Sequence, residues 1–110
     1  MNYESMSDFE INKAVANKLG LFVAAVAQDG IIVNGKSLSV DYCNNPSDAW
    51  PIITDNKISI MNDESTWEAS IDFDGDLTLH GTDEILTKYY DHENPLRATM
   101  IVFLMMSESK

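Results

Sequence analysis

Residues capable of covalent or metal chemistry are scarce in this chain of 110 residues: one cysteine, Cys43, and two histidines, His80 and His92. Nucleophilic catalysis requires a base beside the nucleophile. Both histidines lie in acidic, turn-rich stretches far along the chain from Cys43, with no triad-like spacing. A small buried hydrophobe is the ordinary role of such a cysteine. Zinc ligation asks for closely spaced Cys and His, so no metal and no other cofactor is expected. The run Asp72-Phe73-Asp74-Gly75-Asp76 imitates the start of a calcium loop, with Asp83 at its twelfth position. Leu77 stands where that loop needs glycine, and the bidentate glutamate is missing. A hairpin turn with solvated acids is the expectation there.

The stretch YCNNPSDAWPII, Tyr42 to Ile53, is chemically denser. Asn45 followed by Pro46 starts a helix well, because asparagine accepts amide bonds as an N-cap and proline at N1 gives up no needed donor. On a structural reading Asn45 caps, Asn44 makes a local turn and Trp50 packs into the core. On a functional reading the free amides at this helix start form an anion site. Tyr42 and Trp50 would then flank a planar group, while Asn44, Ser47 and Asp48 direct hydrogen bonds. A second helix start, Asn94-Pro95, brings Arg97, which would complete a site for a small anionic, nucleotide-like ligand.

Charge bounds the partners. Seven Lys and Arg stand against 18 Asp and Glu, a net charge of −11, with a pI near 4.2. Between Asp63 and Glu93 ten acidic residues face one lysine, Lys88. Such a field repels phosphate backbones, so direct nucleic-acid binding and anionic membranes are disfavoured. Acids at Asp72, Asp74, Asp76, Asp83 and Glu84 either form a solvated face that keeps the protein soluble or a face that docks on a basic host or phage protein.

The elements that must position these groups follow from capping and periodicity. SDFE (Ser7–Glu10) is a capping box, and Ile11, Val15 and Leu19 form one apolar stripe before Gly20, giving a helix over about 8–19. Leu21–Ala27, Ile31–Val33 and Leu38–Asp41 read as strands, joined by turns at QDG and Asn34-Gly35. A helix follows from Pro46; Pro51 should shorten or kink it, and Asp55–Lys57 should end it. Lys57–Met61 alternates and reads as a strand. In Trp67–Phe73 the apolar residues fall on one face, and a turn at 74–76 should return the chain into LTLH (77–80). Residues 82–93 are ambiguous, with ILTKYY as one more strand. Met100–Met106 is apolar on every side, which places the last helix in the core. The fold class is therefore α+β: one domain over residues 1–110, with an antiparallel β-sheet packed with an N-terminal and a buried C-terminal helix. No apolar run is long enough to span a bilayer. The opening MNYESMSDFE is unlike a signal peptide, and one cysteine suits a reducing cytoplasm.

Several of these segments together resemble the phage NinX family. They are SDFEINKAVA near the start, CNNPSDAWPII followed by NKISI, and NPLRATMIVFLMM near the end. The family comprises small proteins encoded in the nin region of lambdoid phages and in enterobacterial prophages. The resemblance covers roughly half the chain, leaving 21–41 and 61–93 unmatched. It implies a phage or prophage origin and the bacterial cytoplasm, and carries no activity with it. The expected function is a non-enzymatic accessory protein acting by binding. Two forms stand open, an acidic protein-interaction module and a small-ligand binder built on Tyr42–Trp50 and Arg97.

Overall fold

The computed structural model describes residues 2–27, 30–33, 39–74 and 85–108. A 3-10 turn at Tyr3–Ser5 leads into helix α1 (Asp8–Lys18). The hairpin β1 (Val23–Ala27) and β2 (Gly30–Val33) precedes helix α2 (Pro46–Asn56). Strands β3 (Ser59–Asp63), β4 (Thr66–Asp74) and β5 (Ile85–His92) lead to helix α3 (Pro95–Glu108). The strands form two antiparallel sheets, β1-β2 and β3-β4-β5. This is the expected α+β class, with the C-terminal helix packed on the larger sheet.

Helix α1 begins where its capping box predicts. Ser7 Oγ accepts from Glu10 N at 3.1 Å, and Ser7 N donates to Glu10 Oε1 at 3.0 Å. Of its expected apolar stripe, Ile11 and Val15, with Ala16 beside them, are fully buried against α3 and β2, whereas Leu19, at the C-cap beyond the last helical residue, is 41% exposed. Lys18 closes the contact by donating to the Phe103 carbonyl at 2.6 Å while its ammonium lies 4.0 Å from the Phe103 ring centre.

The larger sheet shows why alternation matters. Ile60, Ala69 and Tyr90 are register neighbours across β3, β4 and β5. All three pack inward, beneath α3. Helix α3 has every residue from Ala98 to Leu104 buried, so it forms the core that its sequence required.

Three local expectations change. Helix α2 runs five residues past Pro51, to Asn56. Proline removes one amide bond, and the carbonyl it would have used, that of Ser47, belongs to an exposed residue open to water. Lys57 adopts a left-handed conformation with φ 55°, and Ile58 N donates to Ile53 O at 3.0 Å. This helix-ending motif consumes Lys57 and Ile58, so β3 starts at Ser59. Strand β4 takes Ile85–His92 as its partner, which makes ILTKYY a strand; the LTLH return and the Asn34-Gly35 turn lie outside the described residues. The strand expected at Leu38–Asp41 is represented, among the described residues, by one bridge between Val40 and Ile31.

Candidate binding site

Both Asn-Pro starts become helix N-termini, and each caps itself. Asn45 Oδ1 accepts from Ser47 N at 3.0 Å. Asn94 Oδ1 accepts from Leu96 N at 3.0 Å and Arg97 N at 3.3 Å. The two starts also meet. Asn94 Nδ2 donates to the Cys43 carbonyl at 2.8 Å and to Asn44 Oδ1 at 3.1 Å.

Around Cys43 the chain makes a turn held by asparagines from two helices. Cys43 N donates to Asn12 Oδ1 of α1 at 3.1 Å, so both backbone groups of Cys43 are taken by side chains. Asn12 is buried, and its Nδ2 donates to Asp41 Oδ1 at 2.9 Å. Asp41 also receives Asn44 Nδ2 at 3.0 Å, while Asp41 N donates to Asp48 Oδ2 at 2.9 Å. The Cys43 thiol is fully buried. Burial, with the negative charge of Asp8 adding to it, pushes the thiol up to about 12. A thiol so protonated is no nucleophile at neutral pH.

Arg97 is 8% exposed and turned toward the N-terminal segment. Its guanidinium pairs with Asp8 Oδ1 and donates to the carbonyls of Tyr3, at 3.0 Å, and Met6. Asp8 Oδ2 accepts Asn44 Nδ2 at 3.1 Å. Burial alone would raise the Asp8 carboxyl, but the Asn44 and Arg97 hydrogen bonds and the Arg97 charge hold it below its ordinary value near 3.8.

The residues expected to form a site therefore divide into two groups. Asn44 and Arg97 join one polar junction with Asp8, Asn12, Asp41 and Asn94, in which Arg97 pairs with Asp8. Tyr42, Ser47 and Asp48 line a cavity of about 260 Å³ on the flank of α2. Trp50 belongs to neither group. It is 58% exposed, not in the core. Helix α2 buries Ala49, Ile52 and Ile53, and one residue advances the helix by about 100°, so Trp50 turns away from that face.

Its Asn-Pro helix start marks Asn94 in the sequence, whereas Asp8, Asn12 and Asp41 do not read there as site residues, though Asn12 left a signal: a polar residue at helical spacing from Ala16 and Leu19 on an apolar face. Asp55 and Asn56, which line the cavity, left none. Of the acidic positions, Asp76, Asp83 and Glu84 lie outside the described residues. The backbone of β4 pairs Asp72 with Thr87 and Asp74 with Ile85. Among the described residues no three His, Cys, Asp or Glu side chains are grouped to hold a metal ion, and no helix is long and apolar enough to cross a membrane.

These features define a small α+β domain whose three helices converge on one polar junction beside an acid-lined cavity. The family model of bacteriophage P22 NinX matches residues 2–107, nearly the whole chain. The chain belongs to that family, which makes it a phage accessory protein of a family not known as enzymes. A comparison with curated proteins finds no match.

Proposed function

We propose that the protein acts by binding and not by catalysis, in the cytoplasm of the bacterial host, through an acidic sheet face that docks on a basic host or phage protein. One observation carries this reading. On the face of the larger sheet turned away from α3, Met61 pairs with Glu68, and Glu68 pairs with Asp91. Like charges directly opposite across strands are destabilising, and a cationic partner would relieve that repulsion. The acids are flanked by apolar surface: Met61 is 63% exposed and Tyr89 is 61% exposed. Tyrosine and methionine are enriched at interfaces, where they supply contact area beside polar groups. The net charge of −11 extends the field toward a basic partner and repels nucleic acid.

The test is retention of host or phage proteins on the immobilised chain as salt is raised, with and without the double reversal Glu68→Lys and Asp91→Lys. Retention should fall with salt, because exposed charge attraction is screened, and should be lost in the reversed variant at unchanged melting temperature. The triple reversal Asp72→Lys, Asp74→Lys and Asp76→Lys should act in the same direction. Retention unchanged by both reversals would sink the reading.

A further inference from the structure

We propose that the cavity on the flank of α2 receives one arginine or lysine side chain of a basic protein segment, its cation resting between the Tyr42 hydroxyl and the Asp48 carboxylate. The cavity measures about 260 Å³. Pockets for small-molecule ligands span roughly 300–1,000 Å³, so this one matches a single long side chain better than a nucleotide. Leu19, Leu21, Pro51 and Ile52 supply an apolar sleeve for an alkyl stem. Among the described residues the charged side chains lining it are Asp48 and Asp55, and no Lys, Arg or His does so. An anion is therefore disfavoured and a cation attracted.

The polar groups are held ready. Tyr42 is 5% exposed, and among the described residues its hydroxyl has no hydrogen-bond partner. Burial raises the phenol above its ordinary value, and the nearby negative charge of Asp48 raises it further, so it stays protonated, with its oxygen free to accept. Asp48 is fixed by the amide of Asp41 on Oδ2, and among the described residues Oδ1 accepts no hydrogen bond. With no partner among the described residues, the Tyr42 hydroxyl on the cavity wall remains available to accept from a guanidinium or ammonium donor. Asp55 follows Asp48 by seven positions on the same flank of α2 and is exposed at the rim, where it draws the cation in. A stem lying in the sleeve between these two acids is the mode by which long basic side chains bury their methylenes. This inference shares with the proposed function only the basic character of the partner; its residues are different, so either can fail alone.

The experiment is a heteronuclear NMR titration of the full chain with N-acetyl-arginine methylamide, its neutral citrulline counterpart, and a short peptide carrying one arginine. The arginine compound and the peptide should shift the amides of Tyr42, Asp48 and Asp55 saturably, and the citrulline compound should not. Asp48→Asn keeps an acceptor for the Asp41 amide and should weaken binding about tenfold, the worth of one charge-assisted bond. Tyr42→Phe should weaken it severalfold and carries the test should Asp48→Asn fail to fold. Glu68→Lys should leave these shifts unchanged. Equal shifts with citrulline, or shifts confined to Met61, Glu68 and Asp91, would overturn the proposal. Tighter binding of free propylguanidinium than of the peptide would overturn the peptide source.

Discussion

The side-chain amide of Asn94 donates to the amide oxygen of Asn44 at 3.1 Å across a separation of 50 residues. The same Asn94 nitrogen bonds the Cys43 carbonyl, and its oxygen caps α3. One side chain thus ties the start of the core helix to the turn that introduces α2. Asn94→Ala removes a cap and leaves a part-buried carbonyl unpaired, and should cost about 2–3 kcal/mol. Asn44→Ala, at an exposed residue, should cost about 1 kcal/mol or less. Urea midpoints of the two variants check the ranking. An Asn94→Ala variant as stable as the parent would mean the junction is only a surface network.

Arg97 and Asp8 should give the junction an acid dependence. The folded Asp8 carboxyl is held below its ordinary value near 3.8, so the unfolded chain binds the proton more readily. The stabilisation is therefore complete above that ordinary value and drains away as pH falls through the lowered one. Asp8 is half-exposed, so the effect should be modest, about 1 kcal/mol. Urea unfolding between about pH 5 and pH 2 should show a shallower loss in Asp8→Asn than in the parent. Parallel pH profiles would show that the pair contributes nothing.

Replacing Arg97 by lysine should not rescue its role. The guanidinium reaches Asp8 and two backbone carbonyls at once, and a single ammonium cannot match that planar fork. Arg97→Lys should lose about 1–3 kcal/mol, read as a fall in melting temperature. Binding of a basic peptide by the α2 cavity should survive, because Arg97 does not line it.

Cys43 should behave as an unfolding reporter. Its thiol is buried and pushed up to about 12, so a thiol reagent at mild alkaline pH should not label the native chain. Labelling should appear only as denaturant opens the Asn12–Cys43–Asn94 turn, with the midpoint of global unfolding. Fast labelling of the native protein would contradict the buried geometry.

What the sequence shows and what it hides divide along a physical line. SDFE, the two Asn-Pro starts and the unbroken apolar run of α3 are local signals, and the structure honours each of them. Alternation in Trp67–Phe73 likewise marks Ala69 and Ile71 as inward residues. The junction is different. Asn12 meets Asp41 across 29 residues, and Arg97 meets Asp8 across 89. Bonds of that range leave no period in the sequence, so Arg97 looks like an unclaimed charge until the fold is known. Trp50 misleads for the opposite reason, since large apolar residues are usually inside, yet its place on the helix turns it outward.

Gly30 provides the last test, because it abuts Val40, the residue just before Asp41 of the junction. It opens β2 with φ at 154°, a conformation side chains rarely adopt. A Cβ built there would meet the Val40 carbonyl oxygen at 2.3 Å. That closeness exists because Ile31 and Val40 exchange two backbone bonds, of 2.9 and 2.7 Å, just beyond it. Val40 in turn precedes Asp41, whose amide fixes Asp48 and whose carboxylate holds Asn12 and Asn44. Gly30→Ala should therefore do more than strain one residue at about 1–3 kcal/mol. Pushing Val40 away displaces Asp41, so the amide resonances of Asn12, Cys43 and Asp48 should move. The Cys43 thiol should also become labelled faster than global unfolding allows. A variant with lowered stability but unchanged resonances at those three positions would show that the bridge and the junction are independent.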